Sequence, residues 1–391
     1  MTPNEIYLDN SATTPLCREA REAYLAAAES CWGNPSSVHA MGMRAAHALD
    51  EARRDIMSAV GLRTGDLILT GSGSEANNIA ILGRAYAKAR FRERHAGIVS
   101  SLGEHASVRL PLERLGREGF DVRTVAAPGG AIDMGELLGM LDRGTALVTV
   151  MHTNNETGAV YDIPTIARLV RKAAPEALIH CDATQGLLHG CRNLSTLGVD
   201  MITFSAHKLE GPRGIGALWV DRDLIRRGAI SPVMLGGGQE SGMRPGTSNL
   251  PAAAAFAAAL KRAAACYGED IAHLTALRDH LLNRIATDPS LAEIRVNAPS
   301  KAAPHIISLT MPSIKSETVL NFLSARGIYV SSGSACSSHK REPSAALSSF
   351  GLTEREADTT IRVSLGRANT AEELDALCDA LAEGVRTLVR F

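Results

Sequence analysis

Lysine is scarce in this chain of 391 residues: only seven of its 41 basic residues are lysines, at 88, 172, 208, 261, 301, 315 and 340. Net charge is almost absent as well, since 42 acidic residues leave a formal −1. A chain so balanced has no global field to recruit nucleic acid or an anionic membrane, and neither partner is expected. No apolar run approaches the length that crosses a bilayer. Residues Met1 to Glu5 hold no basic region and no apolar signal core, so a cytoplasmic location is expected. The seven cysteines, at 17, 31, 181, 191, 266, 336 and 378, include no Cys-x-x-Cys pair and no zinc-finger spacing with histidine. A disulfide framework and a metal site are therefore not expected. Most of these thiols read as small buried apolar groups.

What is present is an ordinary globular balance, 45% hydrophobic and 21% charged, at a length that allows two domains. Short apolar runs at 66–70, 98–101, 146–151, 178–181, 201–204 and 215–220 read as strands. Helical patterns cover about 16–30, 38–60 and 164–174, with another after Ser74. Strands alternating with helices predict a mostly parallel sheet covered on both faces. An alanine-rich helix opening at Pro251 continues into a stripe of Ile271, Leu274, Leu277, Leu281 and Ile285 at helical spacing, and the domain boundary is expected here. Beyond it, strands are predicted at 306–310, 328–330 and 360–366, with a helix at about 316–326. Thr370 and Glu373 make a capping box for a final helix carrying Leu374, Leu377, Leu381, Val385 and Leu388. The texture is that of a smaller α/β domain.

Parallel sheets bind ligands beyond the carboxyl ends of their strands. His105, Asn155, Asp182 and Lys208 all fall just after apolar strands. Each has a bland reading: Asp182 as a helix cap, Asn155 as a loop brace, His105 as a satisfied half-buried ring, Lys208 as a surface lysine. Their joint placement at one edge is harder to attribute to accident. After Asp66–Thr70 comes Gly71-Ser72-Gly73-Ser74 and then a helix, an arrangement that offers free N–H groups to a phosphate. It is neither a Walker A loop nor Gly-x-Gly-x-x-Gly, so neither a nucleoside triphosphate nor a dinucleotide is suggested. A desolvated Lys208 amine would suit a Schiff base with an aldehyde cofactor. Such a cofactor with a phosphate tail also needs a carboxylate at its ring nitrogen, a partner for its ring hydroxyl and a group over its face. Asp182, either Asn155 or Gln185, and His105 offer these in turn. Cys336 lies among serines and a glycine, poorly placed for a core, with His339 and Lys340 near it in sequence to favour a thiolate. Arg362 has the planar fork that clamps a carboxylate. The long glycine-rich stretch Met234 to Asn249 is of a kind usually reserved for function.

These segments together resemble the cysteine desulfurases of the NifS/IscS type, within the fold type I pyridoxal-phosphate enzymes. The resemblance runs over nearly the whole chain. It rests on Tyr7-Leu8-Asp9-Asn10-Ser11-Ala12-Thr13-Thr14-Pro15, Gly33-Asn34-Pro35-Ser36, Asn154-Asn155-Glu156-x-Gly158 and Asp182-Ala183-Thr184-Gln185. It continues through Ser205-Ala206-His207-Lys208, Gly211 to Leu218, Arg244-Pro245-Gly246-Thr247, Ser331 to Cys336 and Ile361-Arg362-x-Ser364-Leu365-Gly366. One stretch departs: the family's phosphate loop typically reads Gly-Ala-Thr-Glu, and here it is Ser72-Gly73-Ser74-Glu75, with a serine hydroxyl in place of the threonine's.

The resemblance implies a large cofactor domain, 15–255, with a seven-stranded, mostly parallel sheet. It implies a small domain formed by 1–14 and 256–391, carrying a cysteine loop at about 331–345. It implies that Lys208 bonds pyridoxal 5′-phosphate, and that Gly73, Ser74, Ser205 and His207 bind the phosphate, with Thr247 reaching in from the other subunit of a homodimer. His105 would stack on the ring and shuttle a proton, Asp182 would meet its nitrogen, and Asn155 and Gln185 its hydroxyl side. Asn155 and Arg362 would hold the carboxylate of L-cysteine. Cys336 would take the sulfur as a persulfide, leaving L-alanine, for a sulfur-acceptor protein of iron–sulfur assembly or thiolation. A selenocysteine lyase, another enzyme of this fold, or a non-catalytic cofactor-bound scaffold are the alternatives.

Overall fold

The computed structural model describes residues 5–89, 96–333 and 344–388. The chain enters through a two-residue strand, Ile6–Tyr7 (β1). The short apolar runs then become Asp66–Thr70 (β2), Gly97–Ser101 (β3), Thr145–Thr149 (β5), Leu178–Asp182 (β6), Met201–Ser205 (β7) and Gly216–Val220 (β8), with Asp121–Val125 as β4. These form one seven-stranded sheet in the order β2-β8-β7-β6-β5-β3-β4. β3 to β7 pair in parallel, and β8 runs antiparallel to both β7 and β2. The carboxyl ends of β2, β3, β5, β6 and β7 therefore lie at one edge, where Gly216, the first residue of β8, pairs with Thr70 on one side and Ser205 on the other.

Period-two alternation sends each strand's side chains to two separate apolar layers. Leu67, Leu69, Val99, Val148, Ile179, Ile202 and Phe204 pack on one face with the helices Ala40–Ala59, Ile163–Ala173 and Leu250–Ala265. Ile68, Ile98, Leu147, Met201 and Leu218 pack on the other with the helix Gly73–Ala89. β4 carries no apolar run because it is an edge strand with one partner, its first four residues wholly or partly exposed. That is why the sequence predicted no strand there.

A second sheet, in the order β12-β13-β10-β9, joins Ser331–Ser332 (β12), Thr360–Ser364 (β13), Ile306–Thr310 (β10) and Arg295–Val296 (β9), all antiparallel. β1 pairs in parallel with Ile328–Tyr329 (β11). Leu8 thereby joins a second apolar cluster with Leu274, Leu277, Leu281, Leu309, Ile361, Leu374 and Leu381. The expected domain break comes after residue 255. It falls inside the helix Leu250–Ala265, whose Phe256, Leu260 and Ala263 belong to the large cluster. Among the described residues the apolar neighbours change near Cys266, before the helix Tyr267–Thr287.

Phe204 and Phe256 are both fully buried, their ring centroids 5.8 Å apart and tilted by 54°. Emptying that contact leaves a cavity behind the strand that leads to Lys208. Phe256→Ala is expected to destabilise the protein by about 3–5 kcal/mol, read as an earlier thermal or urea transition.

Candidate active site

A cavity of about 250 Å3 opens at the carboxyl edge of the large sheet. It gathers Gly73, Ser74, His105, Asn155 and Asp182 with Gln185, Ser205, His207, Lys208 and Arg362. Thr247 is exposed and lies outside the cavity. Cys336, with His339 and Lys340, lies outside the described residues.

At one end, the helix Gly73–Ala89 begins with Gly73 and Ser74 in the wall. The first N–H groups of a helix lack intrahelical partners and carry its positive pole. The loop sits close against β8: a Cβ on Gly216 would lie 2.6 Å from the Ser72 carbonyl carbon and 2.8 Å from the Gly73 nitrogen. Glu75 braces it, accepting from the Gly71 N–H and from Arg244 Nε at 3.0 Å. The Ser205 hydroxyl is buried in the wall with no partner among the described residues. His207 places Nδ1 3.3 Å from the Thr13 hydroxyl, and burial, helped by Lys208 and Arg213, pushes its ring down to about 4. Arg244 belongs to the long loop expected to be functional. That loop turns through Glu240 and Ser241 at φ of 51° and 56°. The buried Glu240 carboxylate holds the turn: it accepts from both Arg53 terminal nitrogens at 2.7 and 2.6 Å, from the Leu69 N–H at 2.8 Å and from Ser248 Oγ at 3.0 Å.

Asp182 ends β6, and two donors orient it: the Thr184 N–H at 2.9 Å to Oδ1 and Asn77 Nδ2 at 2.8 Å to Oδ2. Asn77 also donates to Ser107 Oγ at 2.8 Å, and Ser107 Oγ lies 2.8 Å from His105 Nδ1. A hydrogen-bonded chain thus joins the carboxylate to the histidine through two residues the sequence reading passed over. Their only signal was two polar residues near the starts of helices that follow apolar strands. His105 Nδ1 also accepts from the Ser107 N–H at 3.1 Å, which assigns the ring proton to Nε2. Burial lowers the His105 pKa, with Asp182 opposing, so the ring is neutral.

Lys208 follows β7 in a short turn, Ala206–Lys208. Its Nζ donates to the carbonyl oxygens of Ser11 and Ala12, the latter at 2.8 Å. Gln185 Nε2 donates to the same Ser11 carbonyl at 2.9 Å. The Thr14 N–H and hydroxyl both donate to the His207 carbonyl at 3.0 Å. The segment Asp9 to Pro15 is therefore a strap laid over the lysine turn. Arg362 enters from the second sheet, donating to the Asn155 carbonyl at 2.9 Å and to Asp9 Oδ1 at 2.8 Å. Behind this wall Glu104 is buried, accepting from Ser101 Oγ at 2.5 Å and the Met151 N–H at 2.8 Å.

A sequence profile of the aminotransferase class-V family matches residues 6–377. The cysteine desulfurase IscS 1 of Archaeoglobus fulgidus is 36% identical over 377 residues, 96% of this chain and 95% of that protein. The cysteine desulfurase IscS of Klebsiella pneumoniae is 38% identical over 376 residues, covering 95% of this chain and 90% of its own. A solved structure of a NifS-like protein superposes with a TM-score of 0.88 at 30% identity, covering 98% of this chain and 99% of that one.

Burial pushes the Glu104 carboxyl from an ordinary 4.5 up to about 8, against the donors Ser101 and Met151. The fold favours its protonated form, so its contribution is full below 4.5 and is lost as pH rises toward about 8. Glu104→Gln keeps the shape without the ionisation. The variant's unfolding temperature is expected to fall less than the wild type's across that pH window. Parallel slopes for the two proteins would show that Glu104 does not titrate there.

Proposed function

The chain belongs to the aminotransferase class-V family and is a cysteine desulfurase, and we propose that its cavity takes pyridoxal 5′-phosphate and L-cysteine. One observation carries this reading: Lys208, Asp182, His105 and an open helix N-terminus line a single cavity with the Ser205 hydroxyl, which has no partner among the described residues. The donor set fits the cofactor. The helix start and Ser205 suit a phosphate dianion, and the oriented Asp182 carboxylate suits a protonated ring nitrogen. Gly73, Ser74, Ser205 and His207 hold the phosphate in this reading, with Thr247 from a second copy. His105 covers the ring, Asp182 takes its nitrogen, Asn155 and Gln185 its hydroxyl side, and Lys208 its aldehyde. When bound, the cofactor supplies an electron sink for negative charge developing at the substrate Cα.

The protein's own groups do the rest. Arg362 and Asn155 hold the substrate carboxylate, which turns the Cα–H bond toward Lys208. Lys208 removes the Cα proton. The Cys336 thiolate attacks Sγ: an S–S bond forms as the C–S bond breaks, a proton goes to Cβ with neutral His105 as the shuttle, and Lys208 returns a proton to Cα. The products are L-alanine and a Cys336 persulfide, whose outer sulfur passes to an acceptor protein of iron–sulfur assembly or thiolation. The described ends of the segment that carries Cys336 support its reach. Ser344 donates to Glu156 at 2.5 Å, and a Cβ on Gly333 would lie 2.7 Å from the same carboxylate. Three residues from Gly333 span up to about 10 Å.

The exposure of Thr247, together with exposed Trp32, Val38, Met43 and Leu235, supports a homodimer. The second apolar cluster supports a small domain built from the first residues and the chain after Cys266. Among the described residues no helix is long and apolar enough to cross a membrane, and a cytoplasmic location is our reading.

Lys208→Ala is expected to abolish the yellow absorbance of the cofactor-loaded protein, read by spectrophotometry after dialysis. Cys336→Ala should keep that absorbance and release no sulfide from L-cysteine with a thiol reductant. After cysteine treatment the wild type should gain the mass of one sulfur atom on the peptide bearing Cys336. Undiminished sulfide release by Cys336→Ala would overturn the role given to that thiol.

A further inference from the structure

Lys208 and Gln185 line a second cavity as well as the first, on the far side of the lysine. It measures about 40 Å3 and lies at the junction of the two cores. That volume suits a small cluster of waters and nothing larger. Its charged groups are largely paired with one another: Arg262 meets Glu210 at 2.7 Å and Asp270 at 3.7 Å. Its outer wall includes the exposed Arg367.

Its histidines have no charged partner of this kind among the described residues. His189 and His305 stack with centroids 4.1 Å apart and planes 20° from parallel. Stacked rings cannot hydrogen-bond to each other edge to edge. His305 is 2% exposed, and neither of its ring nitrogens has a partner among the described residues. His189 Nδ1 is likewise buried and unpartnered. Burial holds both rings neutral, His189 at about 4. A neutral imidazole carries one N–H and one bare nitrogen, so it can accept a proton at one side and release one at the other. Three buried, unpartnered ring nitrogens on two residues that line a cavity of this size call for ordered water.

We propose that this second cavity is a proton-exchange route, in which water held by His305 and His189 carries protons between the Lys208 amine and solvent near Arg367. The exchange is proton for proton: Lys208 releases the one taken from the substrate Cα and receives one from cavity water, so no net charge accumulates. This rests on Lys208 as the base of the proposed reaction. His305 touches neither substrate nor cofactor and is a positioning and relay residue.

The test follows deuterium from L-[2-2H]cysteine into alanine, by mass spectrometry, with the cofactor-loaded protein in ordinary water. Wild type should lose most of the label. His305→Leu, which dries the cavity, and His305→Asn, which keeps a polar group unable to pass a proton, should both retain it severalfold more. A crystal structure of the wild type should also show water against the His305 ring nitrogens. Full retention by the wild type, unchanged retention in both variants, or a dry cavity overturns the proposal. Absence of alanine from the wild type overturns instead the functional reading beneath it.

Discussion

Arg362 donates to the Asn155 carbonyl and to Asp9, and it does so at 3% exposure. Its strand belongs to the second sheet, Asn155 to the loop after β5 of the first, and Asp9 to the strap. Three stretches far apart in the chain meet at one guanidinium. A buried ion pair gains little net stability, because desolvation offsets most of the attraction. What it does secure is position, since losing either partner would strand a charge away from water. The distance between the second sheet and the lysine edge is set by this contact, and the walls of the cavity follow from it.

The strap illustrates how the rest depends on that tie. Asp9 is held by Arg362, and two to five residues later Ser11, Ala12 and Thr14 bond the lysine turn. On the opposite wall the chain from Asp182 through Asn77 and Ser107 to His105 fixes one carboxylate, one amide, one hydroxyl and one ring together. Such networks are worth most when every member is satisfied, because each bond polarises the next in a low dielectric. On both sides the side chains that line the cavity are tied to one another, while the Ser205 hydroxyl has no partner among the described residues.

Legibility in the sequence tracked the range of the interactions. The strands leading to His105, Asp182 and Lys208 were readable because five-residue apolar runs end in polar turns, a local pattern. β4 was not, because an edge strand need not be apolar. Asn77 carried little signal because its partners Ser107 and Asp182 lie 30 and 105 residues away. The strap was conspicuous as a motif, yet its work on the lysine turn spans 193 to 197 residues. The change of apolar neighbours near Cys266 carried no sequence signal, because the alanine-rich helix and its successor share one helical texture and bury it against different clusters. Stacking of His189 on His305 had no sequence signal at all. Cys336 was singled out from its setting and by resemblance, and lies outside the described residues.

Glu240 and Ser241 both sit in left-handed backbone that suits glycine, a cost of order 1–3 kcal/mol each. The bonds from Arg53, Leu69 and Ser248 to one carboxylate offset it. Strain and restraint are thus concentrated in the same two residues. Such a turn does not loosen by degrees: once enough of those bonds are gone, the backbone gains by leaving its conformation altogether. The loop from Gly236 to Asn249 is thus anchored through one buried carboxylate, and Arg244, which braces the Gly71–Ser74 turn through Glu75, takes its position from that anchor.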